Sequence, residues 1–158
     1  MNKKLIVIIL AVFMLVTIVI ISEFGGLPAH PDKIASEIIF EPNEDDDYSV
    51  NDNGILVITM DINDLQPNEN GEFVFYYQLN YVVNPKEAKD KSVTFHPKDI
   101  SQDKFIEDIS PEGLITFKFT TKIATTIEIV AKSNDEASKA QNSIIIDLKC
   151  TPQGGNIA

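Results

Sequence analysis

Two histidines, His30 and His96, one cysteine, Cys150, and 24 acidic side chains are the groups in this 158-residue chain with the capacity for catalysis or metal binding. A zinc site takes its ligands from closely spaced histidines, cysteines or carboxylates, and a thiol nucleophile needs a base within hydrogen-bond reach. Three such residues at positions 30, 96 and 150 assemble neither, so both histidines are expected to be ordinary solvated imidazoles. The lone thiol excludes an intramolecular disulfide. It is expected to be a leftover group near the end of a strand, the alternative being an intermolecular bridge or a reactive thiol. No Gly-rich phosphate loop, Gly-x-Ser-x-Gly elbow or His-Glu-x-x-His pattern occurs. No catalytic, cofactor or metal residues are therefore assigned, and the chain is expected not to be an enzyme.

The carboxylates are the place where a specific ligand is conceivable. Glu44 to Asp47, Asp52 with Asn53, Asp61 with Asp64, and Glu69 to Glu72 fall between apolar segments. There, oxygen ligands could converge on calcium, although the spacing is not that of an EF-hand loop. The competing reading is a set of hydrated acidic loops. A carbohydrate-binding face would need exposed aromatics, for which Tyr48 and Tyr76 are the candidates, and an aromatic on a strand is more often packing.

The formal charge is −11, with 13 lysines and no arginine. From Ala35 onward ten lysines face 22 acids, a balance of −12. Nucleic acid is excluded as a partner, because phosphate recognition needs a cationic surface, and an anionic membrane surface would repel the body.

At the N-terminus, Lys3 and Lys4 precede a 17-residue apolar run from Leu5 to Ile21, closed by Glu23. As a helix it would measure ~25 Å, near the lower limit for crossing a bilayer core. The flanking charges place the N-terminus in the cytoplasm and the body outside. A cleaved signal peptide is the alternative, but its cleavage sites would end at Gly26 or Ala29 with bulky Phe24 or Leu27 two positions earlier. The expected organisation is a transmembrane signal-anchor helix over residues 1–23, a Gly- and Pro-bearing linker over 24–35, a β-sandwich over 36–149 and a tail over 150–158.

The body alternates short runs rich in Ile, Val, Phe, Tyr and Thr with Gly, Pro, Asn and Asp clusters, which predicts strands joined by turns. Eight are predicted: Ile38 to Phe40, Ile55 to Ile62, Phe73 to Val83, Ser92 to His96, Phe105 to Ile109, Leu114 to Phe119, Thr125 to Lys132 and Ser143 to Lys149. The longest puts Phe73, Phe75, Tyr77, Leu79, Tyr81 and Val83 on one face. Asn134 to Ala140 is expected to be a hairpin loop. With no helical pattern between strands, the fold class is all-β, a sandwich of about seven to eight strands. The expected core is Leu79, Tyr81, Val83, Val93, Phe95, Leu114, Ile127, Ile129, Ala131, Ile144, Ile146 and Leu148.

Between Gln78 and Leu148 the chain sets out in order Val83-Asn84-Pro85, Ala88, Val93-Thr94-Phe95, the stretch Ile109-Ser110-Pro111-Glu112-Gly113-Leu114-Ile115-Thr116, and Ile129-Val130-Ala131-Lys132-Ser133. This order of motifs resembles the bacterial immunoglobulin-like domain, group 2, of intimin- and invasin-type surface proteins. Phe95 stands where the family has Trp, and no Gly precedes Ile127, so Lys122 to Thr126 must connect its strands differently. The resemblance implies an immunoglobulin-like sandwich exposed at a bacterial cell surface and, more loosely, adhesion. A fold of this kind leaves function open. The expected role is a non-enzymatic, membrane-anchored module that binds a protein or a surface polymer. The alternatives are an accessory or spacer subunit of an envelope assembly and a calcium- or carbohydrate-binding domain.

Overall fold

The computed structural model describes residues 32–151. The expected transmembrane helix over 1–23, most of the linker, His30 and residues 152–158 lie outside the described residues. Residues from Ile34 onward make one compact unit.

Among the described residues ten strands run in chain order: β1 (Glu37–Glu41), β2 (Asp47–Val50), β3 (Leu56–Asp61), β4 (Phe73–Gln78), β5 (Asn80–Asn84), β6 (Val93–Pro97), β7 (Ile106–Ile109), β8 (Leu114–Phe119), β9 (Thr125–Ser133) and β10 (Gln141–Lys149), with one 3₁₀ helix (Ile100–Phe105) before β7. The expected eight strands become ten for two reasons. β2 is a four-residue strand whose alternation is too short to stand out after the acids that precede it, and the long run from Phe73 divides at Leu79.

That division is where the chain changes partners. β4 pairs antiparallel with β8, which pairs with β7, whereas β5 pairs antiparallel with β1. Leu79, 2% exposed, sits between them and donates its N–H to the Gly113 carbonyl at 2.9 Å. The Gln78 amide reaches back to the Leu79 and Glu112 carbonyls at 3.0 and 2.8 Å. Alternation persists through the switch, so the odd-numbered side chains all stay on the core side: Tyr77, Leu79 and Val83 are buried, and Phe73, Phe75 and Tyr81 pack against them.

The other layer has the order β2-β3-β10-β9-β6. Its one parallel pair, β3 with β10, joins distant parts of the chain in the register Leu56↔Ile144, Ile58↔Ile146 and Leu148↔Met60. With Ile144↔Ile129 and Ile146↔Ile127 across β9, this builds straight apolar rows, in which the five named side chains of β9 and β10 are fully buried. The two layers share one interior. Tyr81 of β5 meets Phe95 of β6 edge-on with ring centroids 5.2 Å apart, and Asn142 of β10 donates to the Ile38 carbonyl of β1 at 2.8 Å. The fold is an all-β sandwich.

Ten of the twelve expected core residues are buried; the exceptions are Tyr81, half-buried, and Leu114, 38% exposed. On β8 the opposite face is inward, carrying Ile115, Phe117 and Phe119. Three large side chains on one phase of the alternation outweigh one Leu followed by Thr116 and Lys118. Phe105, expected to open a strand, instead ends the 3₁₀ helix that Asp99 caps through Ser101.

One turn design recurs three times. Gly54, Gly71 and Gly113 are the described residues with positive φ (76°, 77° and 86°). Each donates its N–H to the carbonyl three residues back, and that same residue donates to the carbonyl of the residue after the Gly: Asn51 with Ile55, Asn68 with Glu72, Ser110 with Leu114. The side-chain oxygens of Asn51, Asn68 and Ser110 accept the N–H four residues on, at 3.0, 2.9 and 3.2 Å. Left-handed backbone at the fourth position admits glycine without penalty. The expected hairpin over Asn134 to Ala140 is present, with Ser138 N–H on the Asp135 carbonyl at 2.8 Å.

Candidate binding surface

The acidic segments lie in separate turns, each hydrogen-bonded within its own surroundings. Asp61 accepts the Asn63 N–H at 2.8 Å. Asn68 donates to Glu72 at 3.2 Å, and Glu72 also lies 3.3 Å from Lys118; the Asn68 bond first, then Lys118, holds the Glu72 carboxyl below its usual range. Among the described residues no three His, Cys, Asp or Glu side chains gather in a way that would hold a metal ion. His96 is exposed within β6, and Cys150 is half-buried after β10, touching the core. Tyr48 and Tyr76, 55% and 65% exposed, belong to different layers and form no common platform.

Asp46 is the exception in the Glu44 to Asp47 run, because it is built into the body. Its carboxylate accepts the Asn43 N–H at 2.8 Å and the Tyr77 hydroxyl at 2.5 Å, and Asn43 also donates to the Tyr77 oxygen at 3.2 Å. Burial first, then the hydrogen bond to Asp46, push the Tyr77 phenol above its ordinary range. The folded chain therefore keeps a proton that the unfolded chain releases near pH 10. The stability linked to it is intact below that pH and is lost as pH rises beyond it. Tyr77→Phe should lower stability at neutral pH by ~1–2 kcal/mol, because Asp46 loses a donor. It should also flatten the alkaline fall of the melting temperature; thermal melts from pH 8 to 12 read both effects.

Two open grooves flank Thr120 and Thr121 in the connection from β8 to β9. One, about 490 Å³, is lined by Leu65, Phe73, Lys122 and Cys150 among others. Lys122 bridges it, donating to the Asn63 carbonyl and lying 5.1 Å from the Phe73 ring centroid. The other, about 460 Å³, is lined by Lys104, Phe105, Glu107, Lys118 and Ile123 among others. Lys118 there is neutralised by Glu107 at 3.1 Å and by Glu72, and those hydrogen bonds raise its pKa. The first groove carries the charge of Lys122 with no acid in its lining, and neither groove pairs a nucleophile with a base.

Charge is distributed unevenly along the chain, a feature its total conceals. Residues 34–85 hold eleven acids and no lysine, whereas residues 86–151 hold eleven acids and ten lysines. The first stretch forms β1 to β5. Just before β2, Asn43 reaches the Gln78 carbonyl at 3.1 Å as well as Asp46 and Tyr77, all residues of that stretch. The resulting flank is rich in acids, with Glu44, Asp45 and Asp47 all exposed there.

At that flank β2 is an edge of the five-stranded layer, and every one of its residues is exposed. Tyr48 is in register with Ile58 and Val50 with Leu56, so both lie on the row that faces the core. Ile58 and Leu56 are 1% and 9% exposed, whereas Tyr48 and Val50 are 55% and 62% exposed. The core-facing row thus runs out uncovered at β2. Sequence reasoning marked Tyr48 only as a sugar platform. The signal that distinguishes this flank is the 52-residue stretch without a lysine. Compared with known proteins, the chain matches no family model and no curated protein.

Proposed function

We propose that this chain is a non-enzymatic, membrane-anchored, extracytoplasmic binding module of immunoglobulin-like architecture at a bacterial cell surface. The observation that carries the reading is a division of labour within the chain. An apolar run with lysines before it and acids after it precedes a sandwich in which acids such as Asp46 and Asp61 brace its own turns and residues 34–85 carry eleven acids and no lysine. Strand order supports the immunoglobulin-like part: β1-β5, continued by β4-β8-β7, opposes β6-β9-β10. This is the order in which that sandwich sets strands A, B, E and D against C, F and G. On this reading β3 is an added strand beside the last one, and β2 extends the sheet beyond it.

The lone cysteine makes a direct test convenient. In a Cys150→Ser background, Ile100→Cys, at a position 86% exposed on the 3₁₀ helix, should react with a membrane-impermeant maleimide on intact cells. Labelling only after permeabilisation would place the body on the wrong side of the membrane and end the proposal.

A further inference from the structure

We propose that the free edge of β2 docks an extended, lysine- or arginine-bearing segment of another protein, which joins the five-stranded layer as a sixth strand. The proposal rests on the binding-module reading above and names the class of partner.

The geometry of the neighbouring turn identifies the backbone groups that are open. Asn51 N–H donates to the Ile55 carbonyl at 3.0 Å, and the register continues Val50↔Leu56, Ser49↔Val57, Tyr48↔Ile58. Antiparallel pairs alternate between bonded and non-bonded. Asp47 and Ser49 therefore turn their backbone groups to β3, while Tyr48 and Val50 turn theirs to the free edge. The same two residues carry the exposed side chains of the uncovered core row. A strand added here would satisfy those N–H and C=O groups and extend the row with alternate apolar side chains of its own.

Sheet edges ordinarily carry a guard, such as a proline, a lysine or a bulge. The opposite edge of this layer, β6, includes Pro97 and lies between Lys91 and Lys98. β2 has neither proline nor lysine; its guards are its four-residue length and charge of one sign, Asp47 within it and Glu44, Asp45 and Asp52 around it, all exposed.

Charge decides the occupant. A second copy would set Glu44, Asp45, Asp47 and Asp52 against the same four acids, with like charges within ~8 Å, the screening length at physiological salt. A cationic strand meets complementary charge along both ends of β2, which speeds encounter and fixes register. A neutral apolar strand would gain nothing from the acids.

The test uses the full chain in nonionic detergent and a fluorescent nine-residue peptide in which valine alternates with lysine and threonine. The same peptide with glutamate for lysine is the control. Anisotropy should show binding of the lysine peptide, weakening with salt, and none of the glutamate peptide. Val50→Pro removes an outward N–H without touching the bonds to β3, and Tyr48→Lys puts a guard on the edge with the backbone intact. Each should weaken binding by about ten-fold or more, and Tyr48→Lys carries the test if Val50→Pro alters the melting curve. No binding at millimolar peptide, equal binding of the two peptides, or unchanged binding in Tyr48→Lys would overturn the proposal. A dimer in sedimentation that Tyr48→Lys dissolves would assign the edge to a second copy and overturn it equally. Any of these failures leaves the intact-cell labelling result, and the module reading, standing.

Discussion

Phe117→Ala will lower the stability of the folded chain by about 3–5 kcal/mol, the range for emptying a buried phenylalanine site. Phe117 is fully buried in the middle of β8, opposite Phe75 in register. The two rings stack with centroids 4.6 Å apart at 14°, a contact worth roughly another 0.5–1.5 kcal/mol. Phe119, Phe73 and Phe105 continue the aromatic cluster at centroid distances of 5.9 and 6.4 Å from Phe119. A void at Phe117 would thus remove contacts from β4 and β8 together. Set against ~5–15 kcal/mol of total stability for an ordinary domain, such a loss approaches unfolding. Leu114→Ala, on the other face of the same strand, should cost about 1 kcal/mol or less. Urea denaturation of the two variants compares the faces directly. Equal losses would mean that the inward face of β8 is wrongly assigned.

Gly113→Val should be the most damaging change at any of the three turn glycines. A side chain at φ +86° incurs roughly 1–2 kcal/mol for left-handed backbone. Its Cβ would also lie 3.1 Å from the Leu79 Cβ and 3.5 Å from the Phe95 ring. Crowding of that kind costs about another 1–3 kcal/mol, and it falls where β4 hands over to β5. Around Gly54 and Gly71 a Cβ meets nothing within 4 Å, so the same substitution there should cost only the backbone part. Melting temperatures of the three variants separate the two contributions. If all three fell equally, the close approach of the β7–β8 turn to Leu79 would play no part in stability.

The strands of the deep core are written locally, which is why most of them can be read from the chain. Ile127, Ile129, Ile144, Ile146 and Leu148 alternate with polar or half-exposed partners, and period two assigns their face. The asparagine or serine three residues before Gly54, Gly71 and Gly113 likewise announces its turn. What could not be read depends on distant partners. Nothing near Leu79 marks the change of sheet, because the alternation on either side is unbroken. Nothing in Leu56 to Asp61 states that it lies parallel to the last strand. β2 escaped because its alternation, Asp47-Tyr48-Ser49-Val50, spans only four residues and follows directly on an acidic run.

The candidate surface was less legible than the fold. Acidic residues were visible, but whether they converge depends on where turns end up in space, and they end up apart. Tyr48 and Val50 gain meaning only from the register with Ile58 and Leu56, which shows them as a core row lacking cover. The concentration of uncompensated acids in residues 34–85 is a sequence property. It becomes a surface property once the Asn43, Asp46 and Tyr77 hydrogen bonds draw β1, β2 and β4 around one flank.

Every functional inference here requires two opposed sheets with a common interior, and nuclear Overhauser contacts between ring protons test that most directly. Tyr81 and Phe95, on opposite layers with centroids 5.2 Å apart, should give strong cross-peaks, together with backbone contacts between Ile58 and Ile146 of the parallel pair. If Tyr81 and Phe95 showed no mutual contact while their own strands stayed intact, the sandwich would be open and the account wrong.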